Sequence, residues 1–270
     1  MRLKQLTVVV LVFMLIISAL FTTNLSGTIK AQITPDVYVG IDVAHVDLEA
    51  IDKLIDEVSS YTNLFVIGCK AISHNVTRLD STCQKLYDRG FSFIVYQEWP
   101  IGINQRNWRD RTVSNWTETA KNRWGNQFLG IHYLDEPGGK QLDREPGWIV
   151  INNPVNGEDA ANQYYINVSR SVNWFRSGYS DGANLSLFVS DYALYWFDYE
   201  AGYDTVFAEF GWNYSRQLNV ALCRGAATAQ NKDWGAIITW TYTHDPYIES
   251  GLELYRDLIF AYDNGAKYII

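Results

Sequence analysis

Histidine is scarce in this 270-residue chain, which has only His45, His74, His132 and His244. No two of them stand at a ligand spacing such as i, i+4, so the pattern lacks the grouped His and carboxylate set of a metal-dependent hydrolase. Positive charge is also short: 22 Lys and Arg against 30 Asp and Glu give a formal net charge of -8. With no basic cluster to neutralise phosphates, the composition argues against nucleic acid as a partner. No G-x-S-x-G elbow marks a serine hydrolase, and no Gly-rich phosphate loop follows the first strand. Neither a metal nor a cofactor is therefore implied. Of three cysteines, Cys69 and Cys83 are close enough in sequence for a bridge tying a strand end to the next helix, leaving Cys223 over. The other reading is three buried thiols.

Long apolar runs are confined to one place, Val8 to Phe21, after Met1-Arg2-Leu3-Lys4 and before a polar stretch ending Lys30-Ala31-Gln32. That order is the one found in secretory signal peptides, and the run falls short of the about 20 apolar residues of a membrane span. Residues 1–31 are read as a signal peptide or an uncleaved N-terminal anchor. The remainder is then exported, reaching a membrane only through such an anchor. For an exported chain the N-x-S/T sequons at Asn24, Asn75, Asn115, Asn167, Asn184 and Asn213 are candidate glycan acceptors.

No Pro/Ser/Gly linker divides residues 33–270, which read as one domain. Strand patterns at Val37–Ala44, Leu64–Cys69, Phe91–Tyr96, Phe128–Asp135, Leu185–Ser190, Asp204–Phe210 and Gly235–Trp240 alternate with helical ones at 47–60, 79–89, 116–124, 158–176, 215–230 and 248–263. Strands separated by crossover helices demand a parallel sheet. With Lys267–Ile270 starting an eighth strand, the expectation is a (β/α)8 TIM barrel, possibly incomplete at its C-terminal end. The pattern fixes no oligomeric state.

The stretch that organises the rest is Phe128 to Gly139, FLGIHYLDEPGG, an apolar run stopping at two carboxylates, a proline and two glycines. Strand alternation puts Gly130, His132, Leu134 and Glu136 on one face, with Glu136 in the barrel mouth. Active sites of parallel barrels lie at the C-terminal ends of the strands. That rim carries Asp42, Glu98, Asp135 with Glu136, Asp191, and Glu209, followed by Trp240, Tyr242, His244 and Asp245. Strands four and six share a layer, so Glu136 and Glu209 can approach one another. Two facing carboxyl groups are the minimum apparatus for glycoside hydrolysis. Ten tryptophans favour a sugar cleft, with Trp99, Trp108, Trp148, Trp196, Trp212 and Trp240 near strand C-terminal ends.

Leu134-Asp135-Glu136-Pro137 resembles the Asn-Glu-Pro that ends strand four and carries the acid/base in clan A glycoside hydrolases. Ala208-Glu209-Phe210-Gly211 resembles the Glu-Phe-Gly around the nucleophile of cellulase-like members, and Trp234 to Tyr242 the Trp-rich strand after it. The resemblance implies Glu136 as general acid/base and Glu209 as nucleophile or catalytic base. Asp42, Glu98, His132, Asp135, Asp191, Trp212, Trp240 and Tyr242 are expected to position a carbohydrate substrate or glycan. Asp135 stands where the clan has asparagine, and Glu209 falls on strand six rather than seven unless a short strand lies in Trp148–Asn152. The rival expectation is a non-catalytic barrel that binds glycan at the cell surface.

Overall fold

The computed structural model describes residues 35–44, 48–98, 116–179, 184–211, 214–239 and 250–270. Eight parallel strands close into one barrel: β1 (Tyr38–Asp42), β2 (Leu64–Ile67), β3 (Ser92–Gln97), β4 (Phe128–Asp135), β5 (Leu187–Asp191), β6 (Thr205–Phe210), β7 (Asp233–Ile238) and β8 (Tyr268–Ile269). The eighth strand, though two residues long, pairs with both β7 and β1, and so completes the ring. Between the strands lie α1 (Leu48–Val58), α2 (Lys70–Ser73), α3 (Val76–Asp88), α4 (Trp116–Trp124), α5 (Pro137–Leu142), α6 (Gly157–Arg176), α7 (Tyr195–Ala201), α8 (Arg216–Ala229) and α9 (Gly251–Asp263). The expected (β/α)8 barrel is the observed fold. The short helices α2, α5 and α7 were not expected; each follows a strand at the barrel mouth.

Alternation along the strands sorts side chains into two apolar layers. Leu64, Val66, Ile94, Phe188, Phe207, Tyr38, Tyr268 and Ile270 fill the lumen, with Tyr38 stacked on Tyr268 at 5.0 Å between ring centroids. Residues of opposite parity, such as Phe65, Ile67, Phe93, Val95, Ile131, Val189 and Val206, pack outward under the helices. Burial on both faces explains why β2, β5 and β6 are buried at every position. Helix starts are set by local chemistry: Asn75, Asn156 and Ser215 accept amide hydrogen bonds from Arg78, Asp159 and Leu218, and Ser250 with Glu253 forms a capping box.

Trp148–Asn152 is not a strand. Gln141 Oε1 takes the amides of Val150 and Ile151 at 2.7 and 3.1 Å, and Gln163 Oε1 takes that of Asn152 at 2.7 Å. Side chains thus satisfy a backbone that would otherwise seek a ladder. Glu209 accordingly stays on the sixth strand. Cys69, Cys83 and Cys223 form no disulfide and are all buried, which settles the choice for buried thiols. The sequons divide: Asn75 caps α3, Asn167 lies within α6 with its amide donating to Gln163 O, and Asn184 is exposed. Asn24, Asn115 and Asn213, like residues 1–31, lie outside the described residues. Among the described residues no helix is long and apolar enough to cross a membrane.

Gly130 meets two demands on β4. Its φ is 149°, and a Cβ there would collide with the Ser186 carbonyl just before β5. Gly130→Ala is therefore expected to lower unfolding free energy by about 2 kcal/mol or more, measured by urea denaturation with the slope unchanged.

Candidate active site

The site begins with a slip in the ladder. His132 pairs with Phe188 and Asp135 with Ser190, so β4 spends three residues where β5 spends two. The extra residue is absorbed at Leu134, held at φ 65°, a left-handed conformation that a leucine rarely adopts. Alternation breaks there. Leu134, expected to face the lumen, packs instead against the outer core, and Asp135 turns over the mouth. Glu136 follows at φ 50°, its amide donating to Ser190 O at 2.9 Å, and Pro137 opens α5.

What holds this corner is Asp191. It is fully buried at the end of β5 on the outward-facing parity, and its carboxyl accepts from the amides of Gly138 at 2.5 Å, Gly139 at 2.8 Å, Tyr192 at 2.8 Å and Ala193 at 3.1 Å. Gly138 and Gly139 lie so close that a Cβ would collide with Asp191 Oδ2 and the Tyr192 ring respectively. Behind it Asp198, also fully buried, accepts from Tyr164 Oη at 2.8 Å. Burial pushes the Asp191 carboxyl up to about 7 against the pull of its four amides. Burial, and then the charge of Asp191, push Asp198 well above the usual range. Asp191 was expected on the substrate rim. It faces away from the cavity and acts as a brace, because the parity of β5 turns residues 187, 189 and 191 outward while Phe188 faces in.

Glu209 shares the inward parity of Phe207, and Asn219 donates to its carbonyl at 2.9 Å. It is 4 % exposed and hydrogen-bonded to Glu136, whose side chain is 25 % exposed. Burial, then the charge and hydrogen bond of Glu136, then Asp135 and Asp191, hold the Glu209 carboxyl well above its usual range. Lys140, one turn on from Glu136, places Nζ 3.6 Å from Glu136 Oε2 and 3.0 Å from Asp135 Oδ2. Burial favours loss of its proton, but Asp135 and Glu136 outweigh this and raise it.

Beside the pair a cavity of about 590 Å3 opens, bordered by Asp42, Lys70, Tyr96, Glu98, His132, Asp135, Lys140 and Trp148. That volume suits a small ligand. Burial, then the nearby Asp135, push the Asp42 carboxyl up to about 7, and its Oδ1 has no hydrogen-bond partner among the described residues. Burial would raise Asp135 too, but Lys140, His132 and the hydrogen bonds from Lys140 and Ser190 carry it below its usual value. His132 is pulled down to about 4 by burial and is neutral at pH 7. Its Nε2 accepts from the Ser190 amide at 3.1 Å, so Nδ1 carries the hydrogen, and that atom is buried without a protein partner. Glu98 accepts from Lys70 at 2.6 Å and Tyr96 at 3.2 Å.

The structure thus brings together Asp42, Glu98, His132 and Asp135 around the cavity, with Glu136 and Glu209 beside it across Asp135 and Lys140. Trp148 borders the cavity under Lys140, whose Nζ is 5.1 Å from the ring centre, whereas Trp196 is an exposed residue of α7. Trp99, Trp108, Trp212, Trp240 and Tyr242 lie outside the described residues. Sequence reasoning missed Lys140, whose signal was its place four residues after Glu136 on a helix opened by Pro137. It also missed Ser190, which had no signal: its hydroxyl donates to Asp135 Oδ1 at 2.8 Å only because of the slipped register. Among the described residues no group of three or more His, Cys, Asp and Glu is arranged to hold a metal ion.

No protein-family model matches the sequence, and no curated protein matches it. Solved structures match in fold. An intracellular xylanase from Thermoanaerobacterium saccharolyticum, in complex with xylotriose, aligns over 88% of both chains with a TM-score of 0.52 and 11% identity. A GH10 xylanase from Thermobacillus composti aligns over 87% of this chain and 83% of its own, with a TM-score of 0.51 and 9% identity. An aldolase/citrate lyase family protein from Burkholderia cenocepacia aligns over 87% of both at 0.45 and 8%. At such identities the likeness is one of barrel fold.

The buried acids make stability depend on pH. Asp42 and Asp191, both raised to about 7, and Glu209, also raised, bind protons in the folded state that the unfolded chain has released above about 4. Their contribution is full below about pH 4 and is lost as pH rises toward and through 7. His132, lowered to about 4, acts oppositely up to its unfolded value near 6.5. The raised carboxyls, Asp198 among them, outweigh the one histidine, so thermal stability is expected to fall as pH rises from 4 to 7 and to fall less steeply above 7, where Asp42 and Asp191 have released their protons in both states. Asp42→Asn removes one of these carboxyls and should match the parent at pH 4 but exceed it by roughly 2–4 kcal/mol at pH 8, read from denaturation curves at both pH values.

Proposed function

We propose that this chain is an exported barrel that hydrolyses glycosidic bonds with the carboxyl pair Glu136 and Glu209. The observation that carries the reading is that two carboxyls meet at the C-terminal mouth of the barrel, Glu209 buried and Glu136 partly exposed, beside a ligand-sized cavity. Hydrolysis of this kind needs one carboxyl that keeps its proton to give to the leaving oxygen and one that acts as nucleophile or base. Burial raises the Glu209 carboxyl above its usual range, while Glu136 is more exposed and has Lys140 within 3.6 Å. This supports Glu209 as general acid and Glu136 as nucleophile or base, the reverse of the assignment implied by the clan A resemblance. Carbohydrate is the ligand class in keeping with the xylanases that share the fold, one of them bound to xylotriose. Asp42, Asp135, His132 and Glu98 would then bind sugar hydroxyls in the cavity.

One observation favours a second reading, a barrel that binds glycan without cutting it. A direct hydrogen bond between Glu136 and Glu209 sets them closer than the about 5–5.5 Å that retaining enzymes keep between their carboxyl groups. Catalysis requires that an entering sugar part them.

The test is hydrolysis of aryl glycosides and polysaccharides, xylan included, by the protein and by Glu136→Gln and Glu209→Gln. Each substitution is expected to cut turnover by about 10²–10⁴-fold with melting temperature retained or raised. Glycan binding that persists in all three proteins with no turnover in any would support the second reading instead. Export rests on residues 1–31, and a secreted protein whose first residue lies near Gln32 would support it.

A further inference from the structure

The cavity beside the carboxyl pair holds more acid than base. Among the described residues Asp42, Glu98 and Asp135 border it and Glu136 and Glu209 stand next to it, against the cations Lys70 and Lys140. Both lysines are already committed. Lys70 Nζ lies 2.6 Å from Glu98, and Lys140 Nζ lies 3.0 Å from Asp135 and 3.6 Å from Glu136. Glu209 is hydrogen-bonded to Glu136. That leaves Asp42, at the end of β1, which among the described residues has no ion pair and no hydrogen bond to Oδ1. Gly68 borders the cavity too, and a Cβ there would collide with Asp42 Oδ1, so the wall beside this carboxyl is bare backbone.

A second group in the same wall lacks a partner. His132 is 2 % exposed and borders the cavity, and its Nδ1, the nitrogen that carries the hydrogen, finds no acceptor among the described residues. Buried polar groups are normally paired, so the two orphans describe what is to fill the space between the walls. One asks for a donor, best a charged one, and the other for a neutral acceptor.

We propose that the cavity takes a sugar bearing a free amine, with its ammonium, rather than a hydroxyl, against Asp42 and a hydroxyl oxygen accepting from His132 Nδ1. This rests on the glycosidase reading of the site and names its substrate class, glycosides of amino sugars. A neutral sugar serves His132 equally well but leaves the excess of acid uncompensated, and an acidic sugar adds to it. N-acetylation removes the charge that Asp42 would meet. Burial, which divides Asp42 between its two forms near pH 7, is no obstacle, because an entering cation draws out the charged form.

Titration of the full chain at pH 7 with glucosamine and galactosamine, each beside its neutral parent sugar and its N-acetyl form, is the test. One of the amines is expected to bind at least about tenfold more tightly than its two counterparts. Asp42→Asn keeps the shape of the side chain and removes its charge, so it should bring the ratio of amine to parent affinity to about one; a retained melting temperature shows that the variant is folded. Equal affinity for amine and parent overturns the proposal, as does a preference that Asp42→Asn leaves intact. Turnover of aryl glycosides separates this result from the reading beneath it. Neutral glycosides cut without any amine preference sink the amino sugar and keep the hydrolase, whereas an amine preference without turnover of any glycoside keeps the ligand and sinks the hydrolase. If no sugar binds and none is cut, both fall.

Discussion

The buried carboxyl of Asp191 is the constraint on which the mouth of this barrel depends. Its four amide donors come from two places, the first turn of α5 and the residues just past β5, so one side chain ties two strand ends together. Glu136 is the residue immediately before that first turn. Two unfavourable left-handed conformations, at Leu134 and Glu136, persist because this tie over-determines the corner. The position of Glu136 against Glu209 is therefore set by a group that never touches the cavity.

Around that corner the acids are balanced in three different ways. Asp135 has Lys140 and the Ser190 hydroxyl, and is charged. Glu209 is buried against Glu136 and is held above its usual range. Asp42, buried and without a hydrogen bond to Oδ1 among the described residues, is raised to about 7. Residues of one chemical type, a few ångströms apart, thus differ in charge because their neighbours differ. Such divergence is what acid-base chemistry at neutral pH needs, since one group must give a proton while another takes it.

The barrel was legible from alternation. Strands buried on both faces, such as Leu64–Ile67 and Thr205–Phe210, leave an apolar signature that needs no context. The proximity of Glu136 and Glu209 was legible as well, because strand parity survives at β6. What was hidden is whatever depends on register or on a distant partner. No rule of alternation predicts a bulge at Leu134, and without it Asp135 cannot be placed over the cavity or Ser190 beside it. Asp191 looked like a ligand group because an acid after a strand usually faces solvent or substrate; only its parity, and the two glycines it grips, reveal a brace. The short strand that would have moved Glu209 to strand seven does not form at Trp148–Asn152, because Gln141 and Gln163 supply in side chains what a neighbouring strand would have supplied in backbone.

The aromatic floor of the lumen has a consequence for traffic. Tyr38 and Tyr268 stacked face to face, with the Phe188 and Phe207 rings packed around Tyr268 at 5.3 and 6.1 Å, plug the end opposite the carboxyls. The vessel is blind-ended. Whatever enters at the mouth must leave by the same door. A polymer has to lie across the opening rather than thread it.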